Sequence, residues 1–281
     1  MISLGCFGFF EDIAVLPEPV KRYFRFAIPE HCKTINSVST KFTGLFCIKR
    51  QGQWLSINGE DYYTVNYPGF AWLAEVKINP LFWLTVKDSY IQAKGKAQVK
   101  AYSLVTVATA TGPGIDQGAL SRWLGSAVLF PEALLPSRKI SWEHVDENSA
   151  RLIFSHEGIE IIAVVYFGRR GEIVRIVTDR YCSETRNFEK WTAYYKSYTD
   201  YNGRKIPTEV GILPQEISIM PEFALRRFVD EIGVNYDEPS TTLNRSSMSR
   251  CSVLIGMKNH SQGKYQSVSN VIITVNRKML L

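Results

Sequence analysis

The chain has 281 residues, 45% of them apolar, with 15 Phe, 14 Tyr and 6 Trp. That supply of large apolar side chains can fill a core and excludes intrinsic disorder for the body of the chain. The formal net charge is +6, but six basic residues (Arg245, Arg250, Lys258, Lys264, Arg277 and Lys278) lie after Ser240, where there is no Asp or Glu.

Removing those six from the 33 basic residues leaves 27 against 27 acidic ones, so the body is neutral. A nucleic-acid-binding body would carry a basic stripe, and no nucleic-acid partner is expected. Cys6, Cys32, Cys47, Cys182 and Cys251 are scattered, odd in number and without a C-x-x-C pair. Such spacing suits neither a disulfide framework nor a zinc site, and points to free thiols in a reducing compartment. No apolar run reaches a membrane-spanning length, and the N-terminus lacks a signal peptide's basic start and apolar core. These features favour the cytoplasm without fixing the compartment.

A helix is expected after Leu16-Pro17-Glu18-Pro19, because Val20, Tyr23, Phe24 and Ala27 recur at i, i+3, i+4 and i+7. From about Asn36 to Val107 the text is β: short segments rich in aromatic and β-branched residues. Turn formers at Gln51-Gly52, Asn58-Gly59 and Tyr67-Pro68-Gly69 are read as breaks between strands. With no helical period between them, neighbouring strands should pair antiparallel.

The clearest helix follows Gly112-Pro113-Gly114, with Asp116 as its cap and Leu120, Trp123, Leu124, Ala127 and Val128 as its apolar stripe. Phe130-Pro131 should end it. Strands resume at Lys139–His144, Arg151–Ser155, Ile159–Phe167, Ile173–Tyr181, Trp191–Tyr201 and Arg204–Gly211. Arg169-Arg170-Gly171 and Asn202-Gly203 read as hairpin turns. The organisation expected is an N-terminal extension (residues 1–15), a single β-rich domain (16–239) and a basic, loosely ordered tail (240–281).

Motifs that would name a reaction are missing. Gly112-x-Gly114-x-x-x-Gly118 has the wrong spacing and context for a dinucleotide fingerprint. His31, His144, His156 and His260 show no i, i+4 pair, and no G-x-S-x-G elbow is present. No metal or cofactor is expected. Asp88, Arg122 and the adjacent Asp179-Arg180 are the charged groups set among apolar segments. A buried ion pair and a catalytic group both remain open for them. The aromatics Phe70, Trp72, Phe82, Trp83, Tyr90 and Trp123 are either core or the lining of an apolar pocket between sheet and helix.

Leu16-Pro17-Glu18-Pro19-Val20-Lys21-Arg22-Tyr23, Pro68-Gly69-Phe70-Ala71-Trp72, Asp88-Ser89-Tyr90, Leu120-Ser121-Arg122-Trp123-Leu124 and Phe130-Pro131-Glu132-Ala133-Leu134-Leu135 occur in that order. So ordered, they resemble an uncharacterised, mainly bacterial domain-of-unknown-function family of the 6544/6920 type, over roughly Leu16 to Gly211. The resemblance implies a mainly β (α+β) fold: a curved antiparallel sheet with a few helices on its concave face, similar to lipoprotein-carrier folds. It names relatives and no reaction. The helix departs from the family pattern, which carries glutamates at the positions of Ala119 and Ser126 and a tryptophan at that of Leu129. The tail after Ser240 has no counterpart in the family, which leaves open a native segment or a shifted reading frame.

The expectation is therefore a non-enzymatic binding domain for an apolar or lipid-like small molecule, with no catalytic residue. Phe70, Trp72, Tyr90 and Trp123 would line its site, with Arg122 or Arg180 meeting an anionic head group. The alternatives are a hydrolase-type enzyme using Asp88, Arg122 and Asp179, and a degenerate member without activity. The sequence leaves oligomeric state open.

Overall fold

A computed structural model describes residues 13–29, 34–47, 53–183, 185–214 and 224–236, with the two-residue strands Val253–Leu254 and Ile273–Thr274. Expectations for Cys6, Cys32, Cys251, His31, His260, most of the N-terminal extension and nearly all of the tail fall outside the described residues. Met1–Glu238 forms one unit and Pro239–Leu281 another, whose described part is the parallel pairing of Val253–Leu254 with Ile273–Thr274.

The first unit holds one antiparallel sheet. Its strands are β1 (Ile35–Cys47), β2 (Trp54–Thr64), β3 (Gly69–Asn79), β4 (Phe82–Ile91), β5 (Lys94–Ala101), β6 (Val105–Thr111), β7 (Ile140–Asp146), β8 (Ser149–His156), β9 (Ile159–Phe167), β10 (Ile173–Cys182), β11 (Asn187–Tyr201), β12 (Arg204–Pro214) and β13 (Ala224–Tyr236). Their order is β6-β5-β4-β3-β2-β1-β13-β12-β11-β10-β9-β8-β7. Two meanders of consecutive hairpins are thus joined at their inner ends by β13, which pairs with β1 on one side and β12 on the other. The sheet is not closed; β6 and β7 are its free edges.

Hairpin turns fall where the residues permit a left-handed backbone. Asn202 and Gly203 (φ 52° and 82°) turn β11 into β12, and Gly171 (φ 95°) closes the β9–β10 turn. Asn58-Gly59 is not the expected turn: both residues lie inside β2, facing Glu75 and Ala74 of β3. A Cβ added at Gly59 would stand 2.3 Å from the Leu73 carbonyl oxygen and 2.7 Å from the Phe42 ring. Close backbone approach, not chain reversal, explains that glycine. Sequence reading also missed β13, whose charge-rich text (Arg226, Arg227, Asp230, Glu231) hides its alternation.

The described residues contain two α-helices. In α1 (Glu18–Ala27) the stripe of Val20, Tyr23, Phe24 and Ala27 is buried, and Pro17 and Pro19 precede or open the helix. Its rings meet Phe167 and Trp142 of the second meander. In α2 (Pro113–Ser126) and the 3-10 turn after it, Leu120, Trp123, Leu124, Ala127 and Val128 are all buried. Asp116 is not the cap of α2. The helix starts at Pro113 after Gly112, and Asp116 lies inside its first turn.

Helix α2 also accounts for the curvature. It packs on β3, β4, β5 and β6 and also on β9 and β10. In a flat sheet β5 and β10 would lie about 38 Å apart, at about 4.8 Å per strand. A helix about 10 Å across cannot touch both unless the sheet curls around it. The helix therefore occupies the concave face.

Candidate ligand-binding site

Consecutive residues of α2 fasten it to opposite limbs of the sheet. The Asp116 carboxylate accepts the Gly95 backbone N–H of β5 at 2.6 Å and the Lys94 ammonium at 3.1 Å. The Gln117 side-chain amide donates to the Asp179 carbonyl of β10 at 2.8 Å and accepts the Tyr181 N–H at 2.9 Å. Gly114, Gly118 and Gly125 lie along the helix side that approaches β10 and β11. A Cβ would stand 2.6 Å from the Tyr181 ring at Gly114, 3.3 Å from the Tyr181 carbonyl at Gly118 and 2.6 Å from the Trp191 ring at Gly125. Gly114 and Gly118, which fail as part of a dinucleotide fingerprint, and Gly125 let helix and strands meet at close range.

Below the helix the two limbs do not interlock fully, and a cavity of about 280 Å³ remains. Phe46, Phe70, Trp72, Val86, Ile115, Trp191, Ile212 and Leu225 give it apolar walls; Asp88, Arg122 and Arg180 are the main charged groups in them. The contributing strands come from both meanders, so the cavity exists only because the sheet is curved.

Its floor on the β3 side is an ordered stack. Asp61, Trp72 and Asp88 are cross-strand neighbours on β2, β3 and β4. The Arg122 guanidinium lies 4.2 Å from the Trp72 ring centroid, and Trp72 stacks on Phe42 (5.8 Å, 10° between planes). The Arg227 guanidinium lies 5.5 Å from the other ring of the stack, Phe42. Each cation also has a carboxylate: Arg122 donates to Asp88 at 2.5 Å, and Arg227 pairs with Asp61, which also accepts from Thr40 at 3.0 Å. Charge is thus neutralised locally, and the rings gain cation–π contact on a desolvated face.

Arg180 differs. Its Nε donates to the Gly118 carbonyl at 2.9 Å, and its guanidinium lies 5.8 Å from the Trp191 ring. Among the described residues no carboxylate forms an ion pair with it. Burial, then the Arg122 cation, pulls its pKa down to about 10, against a smaller opposing pull from Asp88. It therefore stays protonated at neutral pH, a cation in the cavity wall with no ion-paired carboxylate among the described residues. Of the other charges there, Lys190 pairs with Asp179 at 2.8 Å and Glu189 accepts from the Thr185 hydroxyl at 2.6 Å, and Lys96 also lines the wall. The indole N–H groups of Trp72 and Trp191 are buried without an acceptor among the described residues.

The residues singled out from sequence divide accordingly. Phe70, Trp72, Arg122 and Arg180 line the cavity. Tyr90 and Trp123 do not. Tyr90 is fully buried beside His156 (ring centroids 5.9 Å apart), and Trp123 donates to the Thr64 carbonyl at 3.0 Å and stacks on Phe154. Phe82 and Trp83 are also elsewhere, packed edge-on against Tyr102 at 5.1 and 5.0 Å. Asp88 and Arg122 meet, but Asp179 turns outward to Lys190 and joins neither them nor Arg180. Converging carboxylates, which hydrolytic chemistry of the expected kind would use, are not formed by these residues. Phe46, Trp191, Ile212 and Leu225, not singled out as site residues from the sequence, come from four separate strands, and no spacing in the sequence links them.

Fold and cavity together define a helix-filled, curved-sheet domain with a small apolar chamber. The chain belongs to the family of unknown function DUF6544, whose sequence pattern matches residues 7–214. No curated protein matches it. Among solved structures it is similar to a LolA superfamily protein from Nitrosomonas europaea (9% identity, TM-score 0.40, covering 79% of this chain and 93% of that one). It is also similar to a DUF1329 family protein from Desulfovibrio piger (12% identity, TM-score 0.35, covering 79% and 94%). A third is a β-barrel-like protein of the DUF1849 family from Brucella abortus (10% identity, TM-score 0.24, covering 73% and 100%). No helix among the described residues is long and apolar enough to cross a membrane.

Proposed function

We propose that this domain binds an apolar, lipid-like molecule with an anionic head group in the cavity beneath α2. The observation that carries the reading is the Arg180 guanidinium, which has no ion-pair partner among the described residues, in a mainly apolar wall. A partly buried cation in an apolar wall is poorly solvated, and a carboxylate or phosphate ligand would neutralise it through charge-assisted hydrogen bonds. Arg122 is already held by Asp88, so its part is to shape the floor through Trp72.

Size limits the ligand. Small-molecule sites span roughly 300–1,000 Å³, which places a chamber of about 280 Å³ at their lower end. That accommodates one acyl chain or a comparable apolar body, not a multi-chain lipid. Burying ~200 Å² of such a chain would contribute ~5 kcal/mol before the cost of association is subtracted.

The test is titration of the purified protein with a fluorescent fatty acid and with the uncharged alcohol of the same chain. Saturable binding that favours the acid, with the preference lost in Arg180→Gln, supports the reading. Equal weak partitioning of both ligands into wild type and variant would remove it.

A further inference from the structure

At the far end of β3–β6 the surface becomes apolar and exposed. Leu81, in the β3–β4 turn, is 81% exposed; Leu104, in the β5–β6 turn, is 82% exposed, and Val105 and Val107 of β6 are 64% and 62% exposed. The β5–β6 turn packs against the start of β4. The Tyr102 N–H donates to the Trp83 carbonyl at 3.3 Å, the Ser103 and Thr85 hydroxyls are 2.7 Å apart, and the Tyr102 ring stands edge-on to Phe82 and Trp83. Tyr102 and Ser103 both hold left-handed backbone (φ 50° and 59°), an unfavourable conformation for non-glycine residues.

Charge at this corner is net basic: Lys77, Lys87 and Lys100 stand against Glu75, which faces Thr85 from β3. Lys77 faces Trp83 across β3–β4, and Lys100 faces Thr85 and Thr106. The opposite free edge is different: β7 carries Glu143 and Asp146, the charges by which sheet edges are usually guarded. Strand β6, Val-Thr-Val-Ala-Thr-Ala-Thr, has no charge at all.

We infer that this corner docks on an anionic lipid bilayer, with Leu81 and Leu104 entering the acyl boundary. Trp83 and Tyr102 lie at head-group level, and the lysine ammoniums meet lipid phosphates. Protruding aliphatics, an aromatic pair behind them and lysines on extendable stems are the chemistry that an interface between hydrocarbon and anionic head groups selects. The docked strands β3, β4 and β5 also wall the cavity through Trp72, Val86 and Ala97. The inference does not depend on the ligand reading, because it rests on a different surface.

The experiment is cosedimentation of the full chain with phosphatidylcholine–phosphatidylglycerol vesicles and with phosphatidylcholine vesicles alone, using brominated acyl chains to quench tryptophan. The basic residues after Ser240 would themselves attract anionic vesicles, so quenching at Trp83, read as the difference between wild type and Trp83→Phe, isolates the corner. The expected result is binding to the anionic vesicles, Trp83-specific quenching, and affinity about ten-fold weaker in Leu81→Asp/Leu104→Asp. Equal quenching in wild type and Trp83→Phe, or undiminished binding of the double variant, would overturn it. So would self-association through this corner, abolished by the double variant, in a chain that ignores vesicles.

Discussion

Asp116 and Gln117 are neighbours in the chain, yet their side chains bond to strands eight places apart in the sheet, β5 and β10. The curl of the sheet, the seating of α2 and the cavity beneath it all depend on that pair of attachments. The Asp116 carboxylate also sits in the first turn of α2, where the helix dipole favours negative charge.

Asp116→Ala should therefore destabilise the domain by about 1.5–3 kcal/mol, because it removes a charged acceptor and leaves the buried Gly95 N–H unpaired. Asp116→Asn keeps an acceptor and loses only the ion pair with an exposed Lys94, so its cost should stay within about 1 kcal/mol. Urea unfolding of the two variants gives the comparison. Equal losses would show that charge, not the Gly95 bond, matters.

Trp123 is enclosed by Phe130 and Phe154 and bonded to Thr64. Trp123→Ala should cost about 3–5 kcal/mol. Arg122→Ala should cost less in stability, since Arg122 lies at the cavity wall and not in the closed core. If Arg122→Ala were the more damaging in thermal unfolding, the Asp88–Arg122–Trp72 group would have to be a structural keystone.

His156 is buried among Tyr67, Tyr90 and Phe154, and neither ring nitrogen has a partner among the described residues. Burial, then the Lys139 cation, lowers its pKa, with Glu157 opposing weakly. The folded state thus resists a proton that the unfolded chain accepts below about pH 6.5. Stability from this residue is intact above that pH and falls as pH drops, by at most about 1.4 kcal/mol per pH unit, until the folded pKa is reached. His156→Phe should flatten the dependence of Tm on pH between neutrality and pH 5. An unchanged slope would place the proton uptake elsewhere.

Periodicity made much of the fold legible. The helical stripes around Tyr23 and Trp123, the Asn202-Gly203 hairpin and the second meander follow local patterns that the structure repeats. Gly59 misled because a glycine needed for close approach to Leu73 looks the same as one needed for a turn. The site was legible only in part. Phe70, Trp72, Arg122 and Arg180 face the cavity, but Tyr90, two residues beyond Asp88 on the same face of β4, and Trp123, one step around α2 from Arg122, sit in closed packing. Asp179 and Arg180 alternate across β10, and sequence could not say which side faces in; it is Arg180. Leu225 lies on the missed β13, and the pairing that brings it under α2 is a long-range contact with β1 and β12.

The central claim is that the chamber beneath α2 is a ligand site, and filling it is the most direct test. Ala97, on β5, lines the chamber with a small side chain. Ala97→Trp would occupy a large part of about 280 Å³ without removing any hydrogen bond or ion pair described above. Fatty-acid affinity, measured by fluorescence titration alongside Tm, should fall at least about ten-fold, the equivalent of about 1.4 kcal/mol of lost binding. Tm should stay near that of the wild type. Undiminished affinity in a folded Ala97→Trp protein would contradict the claim and put the bound chain elsewhere.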